Sequence, residues 1–251
     1  MPLLLQGFFL CYSIMLIAWF FFLKTGKAGV VDSFWAPTIA TCALFYLFKQ
    51  GEMSVKKYIL LFLVLAWMLR LSSYLVKRIS QLGDDARYQD MMSRWGQKIK
   101  FKMLGVYFFQ ASLAWTIALP FIKDLNSEWK LNHFFSILLA LAGIVGEGVA
   151  DHQLKIFKQK QQGICQIGLW KYSRHPNYFF EWLFWLGISL FWLNQERGYW
   201  ALSSAFIMFI LLRFFSGVKI TEELSLKKRG QSYADYQKTT SVFFPWFSRR
   251  R

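Results

Sequence analysis

Seven long apolar runs, separated by short charged stretches, constrain this chain more than any motif it carries. They fall at about 3–23, 29–48, 58–76, 104–122, 133–152, 178–194 and 199–218. Each is near the roughly 20 residues that an α-helix needs to cross a bilayer. A buried helix in a soluble bundle could account for one such run, but not for seven in one chain. The expected fold is all-α: a polytopic membrane helix bundle of about seven transmembrane helices, with no strand required. The run at 178–194 is short for a span and is expected to tilt or to follow a buried turn.

The first run begins at Met1-Pro2 without a basic leader, and no small-residue cleavage site follows it. It therefore reads as a retained anchor and not as a signal peptide. Lys and Arg number seven in 77–102, five in 153–177 and nine in 213–251, against two in 123–132 and one in 194–199. Basic loops stay on the cytoplasmic side, so these counts place the C-terminus in the cytoplasm. Seven spans then put the N-terminus outside, and Lys49, Lys56 and Lys57 count against that orientation. The formal charge of +16 needs no nucleic acid, because basic loops also meet anionic lipid and phosphorylated ligands.

Several classes of chemistry are excluded. Cys11, Cys42 and Cys165 lie far apart, which suits neither a disulfide framework nor a metal knuckle. His133, His152 and His175 are the only histidines, too few for the histidine-rich di-iron centre of a membrane hydroxylase. No metal is expected. A Rossmann or P-loop glycine pattern is also missing, so any nucleotide must be held by the membrane fold itself. Gly143, Gly146 and Gly148 read as positions of close helix packing.

Polar residues within the apolar runs carry the functional signal, since such groups are costly at membrane depth. Asp32 stands near the start of the second run, where it can cap a helix or serve in a wet cavity; both readings remain open. Arg70, Tyr74 and Arg78 form one stripe, explained by snorkelling or by a phenol placed to polarise a carbonyl. Gly83 to Tyr88, then Arg94-Trp95-Gly96 and Gln110, mix both signs of charge beyond what lipid adhesion needs. Glu147 and Asp151 share one face of the fifth run and call for nearby donors, with Lys171 and Arg174 as candidates. The densest signal is Gly168-Leu169-Trp170-Lys171-Tyr172-Ser173-Arg174-His175-Pro176-Asn177-Tyr178. There Lys171, Arg174 and His175 precede a proline suited to the first turn of a helix, an arrangement that favours an anion. Asn177 and Glu181, one turn apart, suggest a lined cavity beyond it. The tail holds Glu222, Glu223, Tyr233 to Tyr236 and Phe243-Phe244-Pro245-Trp246-Phe247, and so many aromatic residues imply an ordered segment.

That motif, followed by Glu181-Trp182 and by Tyr233 to Trp246, resembles the C-terminal domain of steroid 5-alpha-reductases, in a bacterial membrane branch of that superfamily. Val31 to Trp35, Asp85 to Tyr88, Trp95-Gly96 and Asp151 to Gln153 match further elements, so the likeness covers nearly the whole chain. It implies one membrane domain over 1–251, with N-terminal helices in 1–130 and a cofactor-binding region in 131–251. The implied activity is transfer of a hydride from NADPH to a conjugated double bond in a lipid- or steroid-like substrate. The implied catalytic pair is Asp32 and Tyr74. The implied cofactor-binding positions are Glu147, Asp151, Lys171, Arg174, His175, Asn177, Tyr178, Glu181 and Tyr236. Phe180 departs from the glycine common in the reductase motif. The Arg-His-Pro-x-Tyr element is shared with isoprenylcysteine carboxyl methyltransferases, so methyl transfer from S-adenosylmethionine to a lipid-like carboxylate is the alternative. A non-catalytic lipid-binding or transport protein is a third. The expected partners are a bilayer, that of a bacterial inner membrane, and an apolar substrate.

Overall fold

The structure, a computed structural model, describes residues 1–82, 86–93, 95–125 and 128–247. Gly83, Asp84, Asp85 and Arg94 lie outside the described residues, as does the side chain of Arg87. Ten α-helices are present among the described residues: α1 Leu3–Thr25, α2 Val30–Lys49, α3 Val55–Leu82, α4 Ala86–Ser93, α5 Ile99–Ala118, α6 Leu131–Lys160, α7 Pro176–Leu190, α8 Leu202–Ile210, α9 Val218–Arg229 and α10 Gln231–Thr239. There is no strand among them, only an isolated parallel bridge from Ser173 to Ser241. Six helical stretches are long and apolar enough to cross a membrane. The remaining apolar run, 178–194, forms α7, whose 15 residues span about 22 Å at 1.5 Å per residue.

The chain divides into two compact units, Met1–Glu128 and Trp129–Arg251. In the first, α2 packs against α1, α3 and α5. The buried positions of α1 are Gly7, Cys11, Met15, Ala18 and Phe22, a stripe at helical spacing. Those of α5 include Met103, Tyr107, Ala111, Ala114 and Ile117 at the same period. A Cβ on Gly7 would fall 2.0 Å from the Tyr46 hydroxyl, so only glycine lets that ring lie against α1. The opposite faces expose Phe9, Phe62, Phe101 and Phe109, as suits hydrocarbon outside the bundle. Lys57 is wholly buried and donates to Asp124 at 3.1 Å and to the carbonyls of Gln50 and Glu52. Lys56 donates to the Glu128 carbonyl at 3.1 Å. Two of the three lysines that argue against an outer loop at 49–57 are thus consumed inside the unit, tying that turn to the segment after α5, while Lys49 is exposed.

In the second unit, α6 and α7 form the dominant pair. Small residues set their antiparallel register. A Cβ on Gly143 would meet the Phe184 backbone nitrogen at 2.6 Å, and one on Gly187 would meet the Ala140 nitrogen at 2.6 Å. Gly146 lies equally close to the Phe180 ring, whereas Gly148 faces open space. Close approach of this kind replaces hydrophobic driving force where the solvent is lipid. After α6 the chain turns back: Trp170 Nε1 donates to the Ala150 carbonyl at 2.9 Å, and the Leu169 amide to Gln153 Oε1 at 2.9 Å. This return explains why α7 is short. It starts level with Asp151, two turns before α6 ends.

The tail completes the unit. Ser173 Oγ donates to the Phe243 carbonyl at 2.8 Å, the Arg174 amide to the Ser241 carbonyl at 2.8 Å, and the Trp246 amide to the Tyr172 carbonyl at 2.9 Å. Phe243 is buried among the rings of Phe179, Trp182 and Phe209.

Candidate functional site

The start of α7 carries two hydrogen-bonded groups. Pro176 occupies its first position with His175 as the preceding residue, which leaves no amide unsatisfied at the proline. Asn177 Nδ2 donates to Asp151 Oδ1 at 3.3 Å, linking α7 to α6. The Asn177 Oδ1 atom is enclosed and has no donor among the described residues. Glu147 and Glu181, each 5% exposed, lie further along the same helix pair. The register that sets Gly143 against Phe180 and Phe184 brings these two acids to nearly one level. Glu181 Oε1 accepts from Trp185 Nε1 at 3.2 Å.

The second group centres on Glu222 of α9. Arg174 grips it with two bonds, Nε to Oε1 at 2.6 Å and Nη2 to Oε2 at 3.1 Å. Its Nη1 donates to the carbonyls of Gln237 and Thr240 at 2.8 and 2.6 Å. Four of the five guanidinium N–H groups are therefore committed within the protein. His175 Nε2 lies 3.2 Å from Glu222 Oε1, and because an ionised carboxylate only accepts, that nitrogen carries the proton. Gln237 Nε2 donates to Oε2 at 2.9 Å. Burial pulls the His175 pKa below its ordinary value, with Glu222 opposing that shift. Tyr178 stacks on the imidazole, centroids 5.4 Å apart, and its hydroxyl lies 3.3 Å from Thr221 Oγ1. Tyr236 donates to the Trp170 carbonyl and braces the returning turn. Burial raises its phenol pKa and pushes that of Tyr233 up to about 12, so both remain donors at neutral pH. Lys171 is exposed.

The first unit holds a third arrangement. Tyr88 of α4, nearly buried, donates to Asp32 Oδ1 at 2.7 Å, and Gln110 Nε2 lies 3.5 Å from the same phenol. The phenol that meets Asp32 is thus Tyr88, while Tyr74 is 36% exposed on α3.

The positions named from sequence therefore gather as Asp151 with Asn177, and as Arg174, His175 and Tyr178 around Glu222. Sequence reasoning missed Glu222 and Tyr88 as the partners. The available signal for Glu222 was the acidic pair Glu222-Glu223 ahead of the basic run Lys227 to Arg229 in α9. For Tyr88 it was a phenol close to Gln110 and Asp32 in polarity but not in spacing. His133 is a structural residue that accepts from the Lys130 amide at 3.0 Å at the head of α6. Among the described residues, no three His, Cys, Asp or Glu side chains group as a metal site would.

Residues 18–240 match the family described as Protein of unknown function (DUF1295), and the chain belongs to that family. No curated protein matches the chain, and no solved structure does.

Proposed function

We propose that this DUF1295 chain is an integral membrane reductase that uses NADPH to reduce a conjugated double bond in a lipid- or steroid-like substrate. Its C-terminus lies in the cytoplasm of a bacterial inner membrane. The observation that carries this reading is the Asp151 and Asn177 pair at the mouth of α6 and α7, with an enclosed Asn177 oxygen that still has acceptor capacity. A carboxylate beside a carboxamide suits a ribose diol or a nucleobase amine, since hydroxyl and amino protons can supply the missing bond. The likeness of 168–178 to steroid 5-alpha-reductases supports the same assignment.

NADPH, when bound, supplies the hydride. Asp151 and Asn177 hold its sugar, and Lys171 meets its phosphates. Arg174 and Tyr236 act as positioning residues, because the first fixes the start of α7 through Glu222 and the second braces the turn before it. Within the first unit, Asp32 holds the Tyr88 phenol, so Tyr88 and not Tyr74 is the phenol donor paired with that acid. A preorganised donor aimed at developing negative charge is worth most in a water-poor site. The burial of Lys56 and Lys57 leaves Lys49 alone to count against that orientation.

One observation favours a second reading. Arg174 is already neutralised by Glu222, while Glu147, Asp151 and Glu181 line the helix pair. An acidic wall suits the cationic sulfonium of S-adenosylmethionine better than a pyrophosphate. Calorimetric titration of the purified protein with NADPH, NADH and S-adenosylmethionine decides between them. NADPH is expected to bind, and Asn177→Ala to weaken it by about 3–10-fold, the value of one hydrogen bond. Binding of S-adenosylmethionine without NADPH replaces the reductase with the methyltransferase. Binding of neither leaves the non-catalytic lipid-binding reading.

A further inference from the structure

The segment between α8 and α9 has cationic groups that the cofactor site does not use. At its end α8 widens into a π-turn, Leu211–Phe215, a distortion that recurs at functional sites. The helix is then broken at Gly217, where a Cβ would fall 2.2 Å from the Leu212 carbonyl oxygen. On either side of this break, Arg213 and Lys219 line one open cavity of about 310 Å³, shared with Phe214, Glu222, Glu223 and Gln237. Both oxygens of Glu222 are taken by Arg174, His175 and Gln237. Arg213 lies over the Phe214 ring at 5.0 Å. Among the described residues no ion pair joins Arg213, Lys219 or Glu223 to another group.

We propose that this cavity binds the headgroup of a zwitterionic phospholipid of the ethanolamine type. Arg213 and Lys219 receive the phosphate, for which a guanidinium and an ammonium are the usual partners. Glu223 receives the ammonium, so each charge of the headgroup meets an opposite charge in the cavity. Two features favour a lipid over a free anion. The cavity lies on a helical stretch, Gly198–Arg229, long and apolar enough to cross a membrane. Phe214 and Phe215 beside it are 49% and 64% exposed, an apolar surface that an acyl chain would cover.

The test is native mass spectrometry of the full-length protein in detergent, with phosphatidylethanolamine, phosphatidylglycerol, phosphatidylcholine or inorganic phosphate added at equal concentration. Retention of phosphatidylethanolamine is expected to exceed that of the other lipids by about fivefold, and Arg213→Gln and Lys219→Gln each to lower it by about fivefold. Glu223→Gln should reduce it to the phosphatidylcholine level, because a quaternary ammonium offers no N–H to that carboxylate. Arg213→Lys, which keeps the charge, should retain binding and shows that the fold is intact. Equal retention of all three lipids, or no response to the Arg213 and Lys219 changes, overturns the proposal. Preferred phosphatidylglycerol with no effect of Glu223→Gln makes this a bare anion site and also overturns it. So does displacement of the lipid by inorganic phosphate, which would identify a free anion as the occupant.

Discussion

Replacing Glu222 with leucine removes the carboxylate on which Arg174, His175 and Gln237 converge. Arg174 is 9% exposed and its bidentate partner 16% exposed, so the variant leaves a guanidinium enclosed with only the carbonyls of Gln237 and Thr240. Breaking a buried pair from one side costs about 3–5 kcal/mol, whereas an exposed pair is worth about 0–1 kcal/mol. The expected loss for Glu222→Leu is about 3 kcal/mol or more. Arg174→Met should cost less, because Glu222 is the more exposed partner and can recruit water. The double variant Arg174→Met/Glu222→Leu removes both charges and is expected to recover most of the loss, giving a coupling energy at the upper end of the roughly 0.5–3 kcal/mol seen for contacting residues. Unfolding in mixed micelles with increasing dodecyl sulfate measures all four proteins. A loss below about 1 kcal/mol for Glu222→Leu, or a double variant equal to the sum of the singles, refutes the argument that this ion pair is desolvated and holds α9 to the start of α7.

Gly143→Ala, whose added carbon would meet backbone at 2.6 Å, should destabilise the protein by about 1–3 kcal/mol. Gly148→Ala, which meets nothing within 4 Å, should stabilise it by up to about 1 kcal/mol; equal effects in the same denaturation assay would contradict the α6 and α7 register. Tyr88→Phe should lower turnover of an enone substrate while leaving NADPH affinity unchanged, the pattern of a donor that acts in the transition state; Tyr74→Phe giving the larger loss would reverse the assignment. His175, which faces Glu222, Arg174 and Arg213, has its pKa held below 6.5 by burial, so the neutral form is favoured in the folded state. Its contribution is therefore complete above pH 6.5 and is lost as pH falls from there towards the folded-state pKa, by at most about 1.4 kcal/mol per pH unit. Stability at pH 5.5 and 7.5 should differ less in His175→Gln than in the parent; an identical difference would exclude His175 as its source.

The apolar runs were legible because hydrocarbon thickness sets a length that a sequence must meet, whatever its neighbours. The exception, 178–194, shows where that logic ends. Its helix is short because Leu169 and Trp170 bond back to α6, a contact that no periodicity encodes. Gly143, Gly146 and Gly148 look alike in the sequence, yet only the first two face α7, since the register depends on how residues 161–175 turn. Asn177 and Asp151 could be matched by eye as polar groups needing company at depth. The company of Arg174 could not, because its carboxylate lies 48 residues further on. Asp32 shows the same limit, since Tyr74 and Tyr88 are equivalent phenols until α4 is placed.

The junction between 172–174 and the tail also has a consequence in time. Ser173 and Phe243 are separated by 70 residues, so at roughly 5–20 residues per second the ribosome delivers the second about 4–14 s after the first. Until Glu222 is made, 48 residues after Arg174, α7 exists while Arg174 has neither its carboxylate nor its tail carbonyls. Any insertion of α7 in that time is driven by its apolar content alone. The buried polar junction works as a latch that closes last, and a nascent chain stalled before residue 240 would present an open one to membrane proteases.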